Sequence, residues 1–191
     1  TVGVLIFGRD IVQIVYGRGQ FDEYAVRITS AALIGYGSGI FFTGMRDILN
    51  STLFSMGKTK ITTFNGVVGV LFNILFNLVL SKYFGVLGIA IASVSSMIIT
   101  SMLLFRSVIK IEHNFKIGDL ISKILIISLN SIVMGLVIIL FVMFIGTKLN
   151  TVATVVLGTT IGIIVYFILG YILKIQELIE LKNIILAKIK K

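Results

Sequence analysis

Long uncharged segments separated by single cations are the feature that most constrains this chain. Residues 61–81, 83–105, 124–147 and 149–173 hold 21, 23, 24 and 25 residues without a single Lys, Arg, Asp or Glu. A helix rises about 1.5 Å per residue, so about 20 apolar residues cross the ~30 Å hydrocarbon core of a bilayer. Each of the four segments is therefore predicted to be a transmembrane helix.

The composition supports the same class of protein. Hydrophobic residues make up 57% of the chain and charged residues 13%, with a mean hydropathy of +1.10. A soluble domain carries about 25% charged residues, and disordered chains combine low hydrophobicity with high charge. Both classes are excluded, and the sequence predicts an all-α fold, a polytopic transmembrane helical bundle.

A fifth span is predicted over residues 28–56, and it carries the charged residues Arg46 and Asp47. A charge at membrane depth is costly and has a partner or water. Neighbouring residues on a helix point about 100° apart, so we expect these two side chains not to neutralise each other. Two interpretations stay open: contact with an anionic substrate or an ion-coupled gate, or an interhelical salt bridge that locks the bundle.

Five alternating spans sort the cations onto two sides of the membrane. One side has five cations: Arg9, Arg18, Arg27, Lys82 and Lys148. The other side has eleven: Lys58, Lys60, Arg106, Lys110, Lys116, Lys123, Lys174, Lys182, Lys188, Lys190 and Lys191. The positive-inside rule places the eleven, and the C-terminus, in the cytoplasm.

The same division predicts the organisation of the chain. Residues 1–27 are the end of a preceding span and an extracytoplasmic connection. Three spans of a C-terminal lobe follow over residues 28–105, then a cytoplasmic loop over 106–123. Two further spans occupy residues 124–173, and residues 174–191 form a basic amphipathic tail at the inner membrane surface.

Amide side chains recur in the second span at Asn65, Asn73 and Asn77, with Gly69 in the same register. A four-residue spacing keeps them on one helix face, and amides avoid lipid. The stripe is predicted to face other helices or a wet cavity. It is either the polar wall of a transport path or a set of hydrogen bonds between helices.

Small residues recur at helical spacing in three other spans. These glycines are predicted to let helices approach closely. They are Gly35 and Gly39, Gly85 and Gly88, and the pair at 158 and 162. Gly37 makes a Gly-x-Gly-x-Gly run with the first pair, but no strand precedes it, so it is no dinucleotide fingerprint.

Signatures of enzymes are absent from the sequence. There is no Cys and one His, His113, placed beside Glu112 in a polar loop. No metal-ligand spacing, nucleophile elbow or phosphate loop is present, so neither enzyme activity nor a cofactor is expected. The excess of nine positive charges is attributed to membrane-flanking loops rather than to nucleic acid. Asp22 and Glu23 are predicted to begin a helix.

Several motifs together resemble one family. Residues 10–21, which include Arg18, Gly19 and Phe21, look like the "pIvxllfeRGxF" segment of the MviN/MurJ family of bacterial lipid II flippases. Residues 53–60 look like that family's "FYAlgDtrTP", Asn73 and Asn77 match "N..lN..L", and Gly85 with Gly88 match "G..GlalAts". Arg46 stands at a recurrent basic position of the family.

The resemblance implies a two-lobed transporter of the multidrug/oligosaccharidyl-lipid/polysaccharide exporter superfamily, working by alternating access in the bacterial cytoplasmic membrane. Its substrate would be the lipid-linked peptidoglycan precursor, and this chain would supply three spans of the C-terminal lobe and the two additional spans that follow it. Arg46, Asp47, Asn65, Asn73 and Asn77 are the candidates for the substrate path. The alternatives are a polysaccharide-repeat or drug exporter of the same superfamily, or a membrane scaffold without transport. The sequence indicates neither the coupling ion nor the oligomeric state.

Overall fold

The computed structural model describes residues 1–19, 21–112, 117–173 and 175, which contain helices and no strand. The helices are α1 (Val2–Tyr16), α2 (Glu23–Ser38), α3 (Ile40–Ser55), α4 (Thr59–Ile111), α5 (Ile117–Phe144) and α6 (Thr151–Ile172). A short 3-10 helix, Gly146–Lys148, precedes α6. The described residues divide into two compact units, a first unit within residues 3–112 and a second unit within residues 117–175.

A polar turn joins α1 to α2. Gly19 adopts a φ of 66°, which a residue without a Cβ reaches at no steric cost. The Asp22 carboxylate accepts a hydrogen bond from the Ala25 amide (2.8 Å) and caps α2, and Glu23 in the first turn pairs with Arg9 of α1. The prediction that Asp22 and Glu23 begin a helix is confirmed.

Helices α2 and α3 together form the predicted span that carries the charge pair. Only Gly39 separates them, and its backbone stays in the helical region (φ −85°, ψ −7°). Residues Glu23–Ser55 are long and apolar enough to cross a membrane. The span begins at Glu23 rather than at residue 28, because the cap at Asp22 starts the helix earlier.

Helix α4 is a hairpin of two arms, a first arm of residues 59–84 and a second arm of residues 86–111. Gly85 breaks the helix with φ 56° and ψ −132°. Asn65 donates to the hydroxyl of Ser107, 42 residues further along the chain (3.2 Å), so the arms run antiparallel. The two spans predicted here are confirmed, but the turn falls at Gly85 rather than at Lys82, because only the glycine tolerates a positive φ.

The first unit is held together by α3, by α2 and by both arms of α4. Leu49 and Leu53 of α3 pack with Leu104 and Val108 of the second arm in a buried apolar cluster. A Cβ on Gly35 would lie 2.8 Å from the Cβ of Ala90, so α2 lies directly against the second arm. This contact confirms the packing role predicted for Gly35.

The second unit pairs α5 with α6 through a tight connection around Lys148, as predicted. Asn150 caps α6 by accepting from the Ala153 amide (2.7 Å). Asn130 of α5 is fully buried and donates to the main-chain carbonyl of Tyr166 in α6 (3.1 Å). This polar contact fixes the register of two otherwise apolar helices.

Four segments of the described residues are long and apolar enough to span a membrane. One of them is the whole α4 hairpin, which covers two of the five predicted spans. The predicted loop over 106–123 is shorter than expected. Helix α4 runs to Ile111 and α5 begins at Ile117, so most of the predicted loop is helical. His113 and, apart from Ile175, the predicted tail 174–191 lie outside the described residues.

Candidate substrate-path cavity

A cavity of about 580 Å³ lies in the first unit, between α3 and the two arms of α4. Its walls combine one charged pair with amide and hydroxyl groups and a few apolar side chains. The lining residues are Tyr36, Arg46, Asp47, Asn50, Phe54, Thr62, Thr63, Gly66, Gly69, Val70, Asn73, Ser93, Ser96, Met97 and Thr100. Amide, hydroxyl and charged groups avoid lipid, so this wall is expected to face other helices or water.

The charged part of the wall is an ion pair within α3. Nε and Nη2 of Arg46 both donate to Oδ1 of Asp47, each at 3.2 Å. The expectation that these two side chains do not neutralise each other is wrong, because the long Arg side chain bends back toward its neighbour. The interpretation as an interhelical salt bridge required a partner on another helix. The partner of Arg46 is instead Asp47, in the same helix.

The Arg46–Asp47 pair remains accessible from the cavity. The Asp47 side chain is 63% exposed and that of Arg46 34%. Since both donor bonds of Arg46 reach one oxygen, Oδ2 of Asp47 and further N–H groups of the guanidinium remain available. The pair carries no net charge and presents both a donor and an acceptor.

The facing wall is a chain of amides and hydroxyls that joins the arms of α4. Nδ2 of Asn73 lies 3.3 Å from Oγ of Ser93 and 3.2 Å from Oγ of Ser96. Asn77 donates to Oδ1 of Asn73 (2.9 Å), which fixes the orientation of the Asn73 amide. Asn73 therefore holds the hairpin together while it lines the cavity.

The asparagines of the stripe differ in whether they line the cavity. Asn65 and Asn77 do not line the cavity, and their amides bond within the hairpin to Ser107 and Asn73. The interhelical hydrogen bonds that the stripe predicts are present. Of the three asparagines, Asn73 alone also contributes to the cavity wall.

Close packing of the arms shapes the cavity at Gly69. A Cβ at this position would overlap Oγ1 of Thr100, which itself bonds back to the Ser96 carbonyl (2.8 Å). Thr62, 7% exposed, has a hydroxyl with no hydrogen-bond partner among the described residues. That hydroxyl is a polar atom in the wall whose hydrogen-bonding capacity is unused.

Seven of the lining residues with polar side chains were not predicted from the sequence. They are Tyr36, Asn50, Thr62, Thr63, Ser93, Ser96 and Thr100. Ser93, Ser96 and Thr100 follow the i, i+3, i+7 spacing of one helix face. This face of the second arm lies opposite the asparagine stripe of the first arm, and the spacing of its hydroxyl residues is the sequence signal for the second wall.

The remaining motif residues lie away from the cavity. Arg18, Gly19 and Phe21 form the turn after α1, where the Phe21 ring lies 5.8 Å from the ring of Tyr16. Gly85 makes the turn of the hairpin, and a Cβ on Gly88 would overlap the carbonyl oxygen of Leu80. These positions shape the backbone and contribute no group to the cavity wall.

The chemistry of the cavity is recognition by hydrogen bonds and charge. Within the described residues, no group of three His, Cys, Asp or Glu side chains is placed to hold a metal ion. Helices long and apolar enough to cross a membrane, with a polar cavity between them, make this chain part of a multi-pass helical membrane protein. The fold and the cavity thus define the class of the protein.

Comparison with known proteins identifies the family within that class. The model of the family "Lipid II flippase MurJ" matches residues 1–125. The chain belongs to the lipid II flippase MurJ family. Sequence comparison finds it 28% identical over 171 residues to the lipid II flippase MurJ of Thermosipho africanus, covering 90% of this chain and 33% of that protein.

Two further similarities agree with this assignment. A probable lipid II flippase MurJ of Thermotoga maritima is 28% identical over 181 residues, which is 95% of this chain and 36% of the relative. A solved structure of lipid II flippase MurJ in an inward closed conformation matches with a TM-score of 0.78 and 29% identity, over 93% of this chain and 36% of that one. The chain thus spans about a third of the length of these relatives.

Proposed function

We propose that this chain forms part of a flippase that moves the lipid-linked peptidoglycan precursor across the bacterial cytoplasmic membrane. The observation that carries the proposal is the polar cavity on which Arg46, Asp47 and Asn73 converge, in a chain of the lipid II flippase family. A lipid-linked precursor has a polar, anionic headgroup that must avoid the hydrocarbon core. A cavity with donors and acceptors gives that headgroup partners at membrane depth.

The roles of the lining residues follow from their chemistry. Arg46 pairs with the diphosphate of the substrate, because a guanidinium offers donors in a fixed fork that matches phosphate oxygens. Asp47 holds the guanidinium in place while the cavity is empty. Asn73 and the hydroxyls of the second arm bond the uncharged parts of the headgroup.

The proposed orientation places the end of the α4 hairpin with Lys58, Lys60, Arg106 and Lys110 in the cytoplasm. Lys82 lies near the turn of the hairpin, at its opposite end. The excess of cations on one side supports this orientation, and with it a cytoplasmic C-terminus. Transport would proceed by rocking of one lobe against the other around the cavity.

A chimera tests the proposal. In the Thermosipho africanus flippase, the region that aligns with this chain over 171 residues is replaced by the corresponding residues of this chain. The chimera is reconstituted in vesicles with lipid II labelled on its headgroup, and the label that becomes accessible to a membrane-impermeant reagent is measured. We expect flipping well above that of protein-free vesicles.

Two controls make the result decisive. The 191-residue chain by itself is expected not to flip lipid II, because it spans about a third of the relatives. A chimera that folds but moves a polysaccharide-repeat lipid in preference to lipid II would contradict the proposal, as would a folded chimera without any flipping.

A further inference from the structure

A second concave surface of the first unit is apolar and unrelated to the polar cavity. It is a groove of about 550 Å³ between the two arms of α4. Its lining residues are Phe76, Val79, Leu80, Ser95, Ile98 and Ile99. None of them lines the polar cavity, and on the second arm they occupy the face opposite Ser93, Ser96 and Thr100.

The groove continues along one face of the second arm to a cation. Ser95, Ile99, Met102 and Arg106 follow the spacing i, i+4, i+7, i+11, which keeps them in one stripe on a helix. Met102 is 61% exposed, so the apolar surface stays open between the groove and the exposed Arg106. Lys110 extends the same stripe by one more turn.

The distances along the stripe match half a bilayer. Ile99 and Ser95 lie seven and eleven residues before Arg106, which is about 10 and 16 Å along the helix axis. One leaflet contributes about 15 Å of hydrocarbon. A lipid whose phosphate contacts Arg106 would therefore lay an acyl chain in the groove.

The cations at this end of the hairpin have no anionic partner among the residues that the structure describes. Within residues 1–19 and 21–112, the ion pairs are Arg9 with Glu23 and Arg46 with Asp47, and neither involves a cation of this end of the hairpin. Lys58 and Lys60 also lie at the start of the first arm, with no acidic residue in its first turn. The antiparallel arms bring these two lysines to the same end as Arg106 and Lys110.

We propose that this face of the α4 hairpin is a binding site for an anionic phospholipid, with the headgroup phosphate on Arg106 and Lys110 and one acyl chain in the groove lined by Phe76 and Ile99. The groove selects an acyl chain because its lining is apolar, and the cations select a net negative headgroup. The site does not depend on the flippase function, since binding requires no substrate.

The absence of Trp from the chain provides a direct test. Phe76→Trp places a single fluorophore in the groove, and Phe167→Trp places one on α6 as the reference. The full chain is reconstituted in mixtures of phosphatidylglycerol and phosphatidylcholine, with brominated acyl chains on one lipid at a time. We expect phosphatidylglycerol to quench Trp at position 76 in preference to phosphatidylcholine, and this preference to exceed that at position 167.

Two variants that each remove one positive charge test whether the preference for phosphatidylglycerol depends on Arg106. Arg106→Gln is expected to reduce the preference for phosphatidylglycerol at position 76 about fivefold, because one cation near the membrane surface contributes about 1 kcal/mol. Lys82→Gln removes an equal charge at the opposite end of the hairpin and is expected to leave it unchanged. Equal effects of the two variants, or no difference between the two fluorophore positions, would overturn the proposal.

A second measurement does not depend on the Trp variants. The number of phosphatidylglycerol molecules retained by the chain in detergent is counted by native mass spectrometry, for the wild type, Arg106→Gln and Lys82→Gln. Loss of a bound lipid in Arg106→Gln alone supports the site, and identical counts in all three contradict it.

Discussion

The guanidinium of Arg46 bonds to the carboxylate of its sequence neighbour Asp47, with Nε and Nη2 each 3.2 Å from Oδ1. Both residues line the polar cavity. An arginine held by an adjacent carboxylate is oriented without being joined to another helix. In the proposed function, Arg46 exchanges its contact with Asp47 for one with a substrate phosphate, and no link between helices has to break.

Replacing Arg46 tests this role. Arg46→Gln in the chimera is expected to lower the initial rate of lipid II flipping at least about tenfold, since a hydrogen bond to a charged group contributes about 1.5–3 kcal/mol. Arg46→Lys retains the charge but loses the forked donor geometry of the guanidinium. Its flipping rate is expected to fall between that of the unsubstituted chimera and that of Arg46→Gln. Lys82→Gln serves as the control of equal charge, and a rate for Arg46→Gln equal to that of this control would show that Arg46 makes no contact with the substrate.

The turn of the α4 hairpin depends on Gly85. With φ at 56° and ψ at −132°, any L side chain is strained there, so Gly85→Ala is expected to cost about 2 kcal/mol in the free energy of unfolding. Gly44→Ala is the matched control, because a Cβ on Gly44 meets nothing within 4 Å and Ala favours a helix. Unfolding curves of the full chain in denaturant measure both, and an equal response of the two variants would contradict the role of Gly85.

The amide of Asn73 is predicted to stabilise the hairpin more than that of Asn65. Asn73→Ala removes the bonds to Ser93 and Ser96 and leaves Asn77 without its acceptor, whereas Asn65→Ala removes one bond. Hydrogen bonds between membrane helices contribute about 0.6 kcal/mol each, with a maximum near 2. We expect a loss of about 1–2 kcal/mol for Asn73→Ala and less than half of that for Asn65→Ala in the same unfolding measurement.

The contact of Gly69 with Thr100 is tested by a pair of substitutions. Gly69→Ala places a Cβ against Oγ1 of Thr100 and is expected to destabilise the arms by about 1–3 kcal/mol, the usual effect of overpacking. In the double variant with Thr100→Ala, the clash with the hydroxyl is removed. Recovery of at least half of the lost stability is expected, and simple addition of the two single effects would show that the two residues do not interact.

The fold was largely predictable, because uncharged runs of 21 to 25 residues have few structures open to them besides transmembrane helices. The position of the hairpin turn was not. Lys82 marks the end of the uncharged run, but the reversal needs a positive φ and so falls at Gly85.

The cavity was predictable in part. Arg46, Asp47 and Asn73 stood out because polar groups are rare in the spans, and they converge on one site. The bond between Arg46 and Asp47 was missed because side-chain flexibility outweighs the 100° between neighbouring positions. The wall of Ser93, Ser96 and Thr100 was missed because small hydroxyl residues serve packing and polar contacts alike.

Cross-linking to the substrate is the most direct test of the claim that the polar cavity receives lipid II. A photoreactive phenylalanine analogue is placed in the chimera at Tyr36, which lines the cavity, or at Tyr24, which is 63% exposed near the start of α2 and outside the cavity. After irradiation with radiolabelled lipid II, we expect labelled protein for position 36 and background for position 24. Background labelling at position 36, or equal labelling at both positions, would contradict the account.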